Sequence, residues 1–404
     1  MLGNDNGTSR RNVLKLAGAS VATAAGSGLA AAKPDDTVEV NVGFKSSRGR
    51  SMAKSQATAT VREFDSIDVL TIRLPKKAAT ALARNPNIRY VEENGTMEAL
   101  AQTLPWGIDR VDAEIAHQNG ETGSGADIAI VDTGIDDDHP DLQANLGEGR
   151  AFVACGSGGY FGNCAFSGNS NACNNDWSDD NDHGTHCAGI ANAVNNGEGV
   201  VGVSTQATLH AVKVLDCAGS GSFSDIAAGV EYVANQGWDV ASLSLGGDSG
   251  SQALHDAIKY ADNNGVLVVA AAGNPGPCTD CVKYPAKYPE TVAVSATTPS
   301  DSLASYSAQG PEVDIAAPGG ASDNNDSTSI YSSVPSGYAY FNGTSMACPH
   351  VAGAAGQLMA NGQTNDEARS TLESTAEDIG LSSNEQGNGL LDVAAALGFS
   401  SSDD

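Results

Sequence analysis

Three short segments each place a reactive side chain where a strand ends or a helix begins. In Ile128-Ala129-Ile130-Val131-Asp132-Thr133-Gly134 an apolar run ends on a carboxylate. Ligands of open α/β sheets bind beyond the carboxyl ends of strands, so Asp132 sits where chemistry is done, although an Asp there also serves as a plain turn or cap residue. In Asp182-His183-Gly184-Thr185-His186-Cys187-Ala188-Gly189, His183 stands beside glycine at the start of a helix. An imidazole that titrates near neutrality suits proton transfer there. His183 and His186, three apart, could also share a metal, but no third ligand follows at a familiar spacing. In Asn342-Gly343-Thr344-Ser345-Met346-Ala347-Cys348-Pro349-His350-Val351-Ala352-Gly353, Pro349 is expected within the first helical turn, where amides lack intrahelical partners. That places Ser345 at the helix N-terminus, facing unpaired N–H groups that favour negative charge on an oxygen; a simple Ser N-cap is the plain alternative. No complete G-x-S-x-G elbow occurs, which counts against an α/β-hydrolase.

The elements that must position these groups follow from the hydrophobic pattern. After Gly125, short apolar strands at 127–131, 208–214, 240–245 and 266–271 alternate with helical stretches, predicting an α/β fold with a mostly parallel sheet covered on both faces. Residues 37–93 differ: alternating runs at 38–42 and 68–72, a helix over 75–84 and a last strand near 88–91 predict a small α+β unit. Ser9-Arg10-Arg11-Asn12-Val13-Leu14-Lys15, followed by an apolar, small-residue run over 16–32, matches a twin-arginine export signal and is too short and Gly/Ala-rich to span a membrane stably. Cleavage near Ala30-Ala31-Ala32 would release an extracellular product; retention as an N-terminal anchor is the alternative.

Composition narrows the partners. The 404 residues carry 21 Lys+Arg against 49 Asp+Glu, a formal charge of -28. Residues 1–100 hold 14 basic and 10 acidic side chains and the remainder only 7 and 39, so composition alone supports a boundary near Leu100. Such acidity repels phosphate backbones and anionic headgroups, which excludes nucleic acid and membrane surfaces as primary partners. Lys213, Lys259, Lys283 and Lys287 are the lysines of the acidic part. A surface so poor in lysine stays hydrated when molar salt screens charge to within ~3 Å, and is expected of a protein adapted to brine. All eight Cys lie after position 154, an even count that favours disulfides in an exported chain. Cys278-x-x-Cys281, with no second such pair, reads as a small loop disulfide rather than a zinc or redox site.

Strand-Asp-Thr-Gly, HGTHCAG, AAAGN and GTSMACPHVAG, in this order, resemble the subtilisin-type serine proteases, and the acidic, export-signalled form resembles the halolysins of halophilic archaea. The match runs from about Ala101 to Leu397. The resemblance implies a three-layer subtilisin-like domain over 101–404, preceded by a signal peptide over 1–32 and an inhibitory, ferredoxin-like pro-domain over 33–100. It implies a triad in which Ser345 attacks a peptide carbonyl, His183 moves the proton and Asp132 orients His183, with no cofactor for catalysis. Asn274, in Ala270-Ala271-Ala272-Gly273-Asn274, would donate to the oxyanion beside the Ser345 amide; without the resemblance, Gly-Asn is a turn. Ser244-Leu245-Gly246-Gly247 resembles the edge strand that pairs with substrate backbone, which implies loose side-chain selectivity. Met97-Glu98-Ala99-Leu100 followed by Ala101-Gln102 resembles the self-cleavage junction. Gln102, Asp141 and Asn196, with the carbonyls of Val194, Glu198 and Val200, match ligands of the family's strong calcium site, an oxygen set that suits a hard cation, although the loop could equally be a plain Asn/Gly turn.

Several features depart from the pattern. Lys283, before Tyr284-Pro285, stands where a small residue is expected near the S1 pocket; it could attract acidic side chains or remain a solvated amine at the rim, and the apolar Leu100 favours the latter. The stretch between Asp132 and His183 is long and holds Cys155, Cys164 and Cys173. Cys187 and Cys348, beside catalytic positions, could be buried thiols or a disulfide. The function expected is a secreted, self-processing endopeptidase of broad specificity, a monomer acting on proteins and peptides with its own pro-domain as inhibitor. The rivals are a catalytically silent secreted binding protein on the same fold, which would not need all four of Asp132, His183, Asn274 and Ser345, and a peptide ligase or esterase using the same site.

Overall fold

The computed structural model describes residues 37–94, 102–156, 173–323, 325–335 and 337–401. The arginine pair of the export signal, the Leu100–Ala101 junction and Cys164 lie outside the described residues. The chain divides into two compact units, Met1–Ala99 and Leu100–Asp404.

The first unit is built from β1 (Thr37–Phe44), α1 (Ser47–Gln56), β2 (Ala59–Glu63), β3 (Val69–Pro75), α2 (Lys76–Ala83) and β4 (Ile88–Glu93). The sheet order is β2-β3-β1-β4, and every pair in it is antiparallel. Two interleaved βαβ units of this kind make a ferredoxin-like α+β fold. One face carries the core, with Val40, Val42, Leu70, Ile72, Leu74 and Leu82 at most 1% exposed. The pattern had predicted β1, β3, α2 and β4 but neither α1 nor β2. All five β2 residues are exposed, and α1 buries only Gly49 and Ala53, so neither had an apolar period to detect.

In the second unit two short helices, α3 (Trp106–Arg110) and α4 (Ala113–Gln118), precede β5 (Asp127–Asp132). Then follow β6 (Arg150–Ala151), α5 (His183–Asn192), β7 (Thr208–Lys213), α6 (Phe223–Gln236), β8 (Val240–Leu243), α7 (Gln252–Asn263), β9 (Leu267–Ala271), β10 (Thr291–Thr297) and β11 (Ile315–Pro318). Their seven strands form one parallel sheet in the order β11-β10-β9-β8-β5-β7-β6. A hairpin of β12 (Ile330–Val334) and β13 (Gly337–Phe341) leads into α8 (Thr344–Ala360), followed by α9 (Asn365–Thr375). Helices α6 and α7 cover one sheet face through Val230, Val233, Leu254 and Ile258. On the other face α5 and α8 pack through Cys187, Ala188, Ala347, Val351 and Ala355. This is the three-layer α/β architecture expected. The chain places β7 and β6 on one side of β5 and β8 to β11 on the other, so the carboxyl end of β5 lies at the topological switch point.

The structure moves two boundaries. Strand β8 stops at Leu243, so residues 244–246 lie beyond it rather than within a strand. Helix α8 starts at Thr344, which makes Pro349 an interior residue, not a first-turn one. The lost amide would strand the carbonyl of Ser345, four residues back, but that oxygen accepts the Ser244 hydroxyl at 2.8 Å and the Cys187 thiol at 3.4 Å. Cys155–Cys173 and Cys278–Cys281 are disulfides, and Cys217 is disulfide-bonded too, whereas Cys187 and Cys348 are free and buried.

Helices α5 and α8 approach closely because their facing residues are small. A Cβ on Gly353 would sit 2.7 Å from the Ala191 carbonyl and 2.7 Å from Val203 Cβ. Replacing Gly353 by Ala should therefore cost about 1–3 kcal/mol, as overpacking does. The check is a thermal melt of Gly353→Ala in a Ser345→Ala background, free of self-digestion; an unmoved midpoint would show slack between the helices.

Candidate active site

Asp132 is the last residue of β5, fully buried, and His183 is the first residue of α5. Asp132 Oδ1 accepts from its neighbour's amide, Thr133 N, at 2.7 Å and from His183 Nδ1 at 2.8 Å. The close approach needs glycine: a Cβ on Gly184 would lie 2.1 Å from the Gly134 carbonyl. Asp182, just before the helix, takes a left-handed conformation that aspartate tolerates better than most side chains. Burial opposes a charge on His183, but the adjacent Asp132 carboxylate outweighs it, and the pKa lies well above the ordinary histidine value.

Ser345 is the second residue of α8. Its Oγ donates to the Ser244 carbonyl at 3.2 Å and, among the described residues, makes no hydrogen bond to His183. His183 and Ser345 line the same cavity together with Asn181, Asn274, Tyr340 and Phe341. Asn274 lines this cavity with its amide oriented. Its Oδ1 accepts from Thr344 N and Thr344 Oγ1, both at 2.9 Å, which turns the Nδ2 donor away from those groups. Thr344 Oγ1 also accepts from Gly273 N at 3.0 Å. Thr344 lay within a motif already singled out, but nothing in the pattern marks it as the anchor of Asn274.

A second cavity meets the first at His183 and Asn181 and lies between two chain segments. One is Ser244, Leu245, Gly246 and Gly247. The other is 219–221, which no periodicity marked in the sequence. Gly247 exchanges hydrogen bonds with Tyr284 at 2.8 and 3.0 Å, while residues 244–246 remain an unladdered edge. The stem of Lys283 runs between Gly246 and Gly273, where added Cβ atoms would meet it at 3.1 and 2.4 Å. Its amine pairs with Asp248.

The remaining candidates gather around one loop. Gln102 Nε2 donates to the carbonyls of Val194 at 2.7 Å and Val200 at 2.9 Å, and Gln102 Oε1 accepts from Gly197 N at 3.3 Å. Asn196 Oδ1 accepts from Glu198 N at 2.8 Å, and Asp141 Oδ2 from Val200 N at 2.9 Å. The other carboxylate oxygen, Asp141 Oδ1, is buried without a hydrogen-bond partner. The carbonyls of Val194 and Val200 converge on Gln102 Nε2, and an orphaned anionic oxygen in the same loop region suits a hard cation. His186 does not join His183 around a metal: its Nε2 reaches the carbonyls of Ile330 and Ala339, both at 3.2 Å, and its ring stacks on Phe341.

The arrangement can generate a nucleophile and hold an oxyanion beside it. Replacing Asn274 by Ala is expected to lower kcat for amide or ester hydrolysis by about 10²–10³ with little change in KM, the loss that follows removal of one such donor in this class of site. Steady-state kinetics checks it; an unchanged kcat would mean that Nδ2 does not meet the developing charge.

Comparison with known proteins agrees with the geometry. A family model described as "Subtilase family" matches residues 123–389, and one described as "Fervidolysin N-terminal prodomain" matches residues 37–94. Subtilisin amylosacchariticus of Bacillus subtilis subsp. amylosacchariticus is 39% identical over 382 residues, covering 92% of this chain and 93% of its own. Subtilisin E of Bacillus subtilis strain 168 gives the same figures. An alkaline protease of Alkalihalobacillus alcalophilus is 43% identical over 339 residues, 83% of this chain and 81% of that one. With its parallel sheet, its N-terminal unit and this similarity along most of its length, the chain belongs to the subtilase family and is a serine endopeptidase.

Proposed function

We propose that Asp132, His183 and Ser345 are the catalytic triad of a secreted, self-processing endopeptidase, with Asn274 as oxyanion donor. The observation that carries this is the 2.8 Å hydrogen bond from His183 Nδ1 to a buried Asp132, beside a cavity shared by His183, Ser345 and Asn274. Asp132 fixes the tautomer, leaving Nε2 to accept the Ser345 proton as Oγ bonds to the peptide carbon. The carbonyl electrons move onto oxygen, stabilised by Asn274 Nδ2 and the Ser345 amide. His183 then protonates the leaving amine, and water repeats the sequence on the acyl-enzyme. Substrate backbone lying between 244–246 and 219–221 would be held largely by main-chain contacts, which favours broad specificity. Lys283, already paired with Asp248, serves as a wall of the pocket rather than an anion receptor.

The chain is divided into an export signal over 1–32, an inhibitory pro-domain over 33–100 and a catalytic domain over 101–404, cut between Leu100 and Ala101. The paired arginines point to the twin-arginine route, and the acidic, lysine-poor catalytic part to salt adaptation of the halolysin kind. Gln102, Asp141 and Asn196, with the carbonyls of Val194, Glu198 and Val200, would hold a structural calcium.

In molar salt with calcium, the parent is expected to trim to a product beginning near Ala101 and to hydrolyse casein, with no excess of Asp or Glu at P1. Ser345→Ala should remain full length. Because the base must be neutral and Asp132 raises the His183 pKa, activity should be complete above the raised value and fall as pH drops through it. The acid limb thus lies above the ~6.5 of a free imidazole. Equal processing of parent and variant, read by N-terminal sequencing, would overturn the proposal.

A chelator should lower the thermal midpoint of Ser345→Ala by removing a ligand of the native state, worth about 2.7 kcal/mol at a hundredfold excess of calcium over its Kd. The effect should vanish in Asp141→Asn; an undiminished chelator shift there would place the cation elsewhere.

A further inference from the structure

Asp179, in the segment before α5, is fully buried and takes no part in the steps described. Its Oδ1 accepts from Thr133 Oγ1 at 2.8 Å, Asn181 N at 2.9 Å and Asp182 N at 3.2 Å. Its Oδ2 accepts from Thr185 N at 2.9 Å and Thr185 Oγ1 at 2.6 Å. These five bonds fall on both sides of the catalytic pair. Thr133 follows Asp132 in the chain, while Asp182 precedes His183 and Thr185 comes two residues after it. The Thr133 hydroxyl closes the circuit by accepting from Gly184 N, next to His183, at 2.9 Å. The same turn is held from below: Lys213 Nζ donates to the Thr133 carbonyl at 2.6 Å and to Asp180 Oδ1 at 2.6 Å.

We infer that Asp179 is a positioning residue that fixes the register of Asp132 on His183 through the hydroxyl of Thr133. The inference rests on the triad reading above. A carboxylate suits the role because only an acceptor-only group satisfies five converging donors. An amide of the same shape would turn an NH2 toward either the Asn181 and Asp182 amides or the Thr185 amide. Such a donor-to-donor clash displaces the turn, and displacements of about an ångström at a reacting centre cost on the order of 10² in rate.

The titratable groups that reach the His183 ring are Asp132 from β5 and, on α5 itself, Cys187 and His186. Burial raises the Cys187 pKa and lowers that of His186 to about 3, so both are neutral over the working range and Asp132 alone supports the imidazolium. A loosened Asp132 therefore moves the acid limb of kcat/KM downward, toward free imidazole.

The test is the pH profile of the full chain and its matured product, per active site titrated with a serine-directed sulfonyl fluoride. Asp179→Asn is expected to lose about 10–100-fold in kcat, with KM within about threefold, and to shift the acid limb to lower pH. Thr133→Val should shift it the same way, and Thr133→Ser, which keeps the hydroxyl, should recover most of the loss. A purely structural Asp179 would lower the thermal midpoint and leave the limb and kcat at parent values, which overturns the proposal. Should Asp179→Asn not fold, the Thr133→Val and Thr133→Ser pair decides alone. If Ser345→Ala retains parent activity, the triad reading fails; if it is inactive while the Asp179 and Thr133 variants keep the parent limb, only the positioning role fails.

Discussion

A hydrogen bond between a buried carboxylate and an imidazole with one edge open, Asp132 to His183 at 2.8 Å, sets the demands on everything around it. A buried anion is costly unless donors surround it, so Asp132 must sit where a strand ends and the next amide turns back onto its side chain, as Thr133 N does. The imidazole must come from another element entering at the same height. The switch point of a parallel sheet supplies both conditions, since β5 ends there and a helix can begin in the crevice beyond it.

Bringing a third group into register restricts the packing in turn. Ser345 comes from α8, nearly all of whose residues are buried, and its approach to α5 depends on glycine and alanine rather than on branched side chains. The interior Pro349 is part of the same solution. By withholding an amide it leaves the Ser345 carbonyl to the Ser244 hydroxyl and the Cys187 thiol. The serine backbone is thereby tied to the end of β8 and to α5. Two free, buried thiols lie beside the site: Cys187 donates to the Ser345 carbonyl and Cys348 to the Val269 carbonyl at 3.5 Å, each packed as a small apolar group.

How far the amino-acid order discloses this depends on the kind of signal each residue leaves. The strands beneath Asp132 and Asn274 are buried from Ile128 to Asp132 and from Leu267 to Ala271, and continuous apolar runs announce them. Ser345, His183 and Asp132 stand in short motifs whose order is itself specific. Thr344 and Asp179 are different. Their roles consist of hydrogen bonds to partners 70 and 46 positions away, Asn274 and Thr133, and a threonine before a helical serine or an aspartate in an acidic loop has no local feature to separate it from a cap. Segment 219–221 is silent for the same reason, since it offers backbone rather than side chains. The helix placed too late around Pro349 shows the opposite failure, a sound local rule overridden because tertiary partners satisfied the carbonyl the proline left free.

The scarcity of cations in the second unit sharpens the electrostatic side of the argument. Of its seven basic residues, Arg110, Lys213, Lys259, Lys283, Lys287 and Arg369 each meet a carboxylate, and Arg150 lies over the rings of Phe152 and Tyr232. Each cation is committed to a particular junction: Arg110 joins the α3 region to Asp301 and Glu377, Arg369 joins α9 to Asp314, and Lys213 holds the turn after β5. The surface carboxylates without such a partner repel one another over a Debye length that shrinks from ~10 Å at 0.1 M salt to ~3 Å at 1 M. Salt of that strength relieves the repulsion between surface carboxylates while leaving the fully buried Lys213–Asp180 pair nearly unscreened. The framework that fixes Asp132 and His183 is thus insulated from changes in ionic strength that act on the surface.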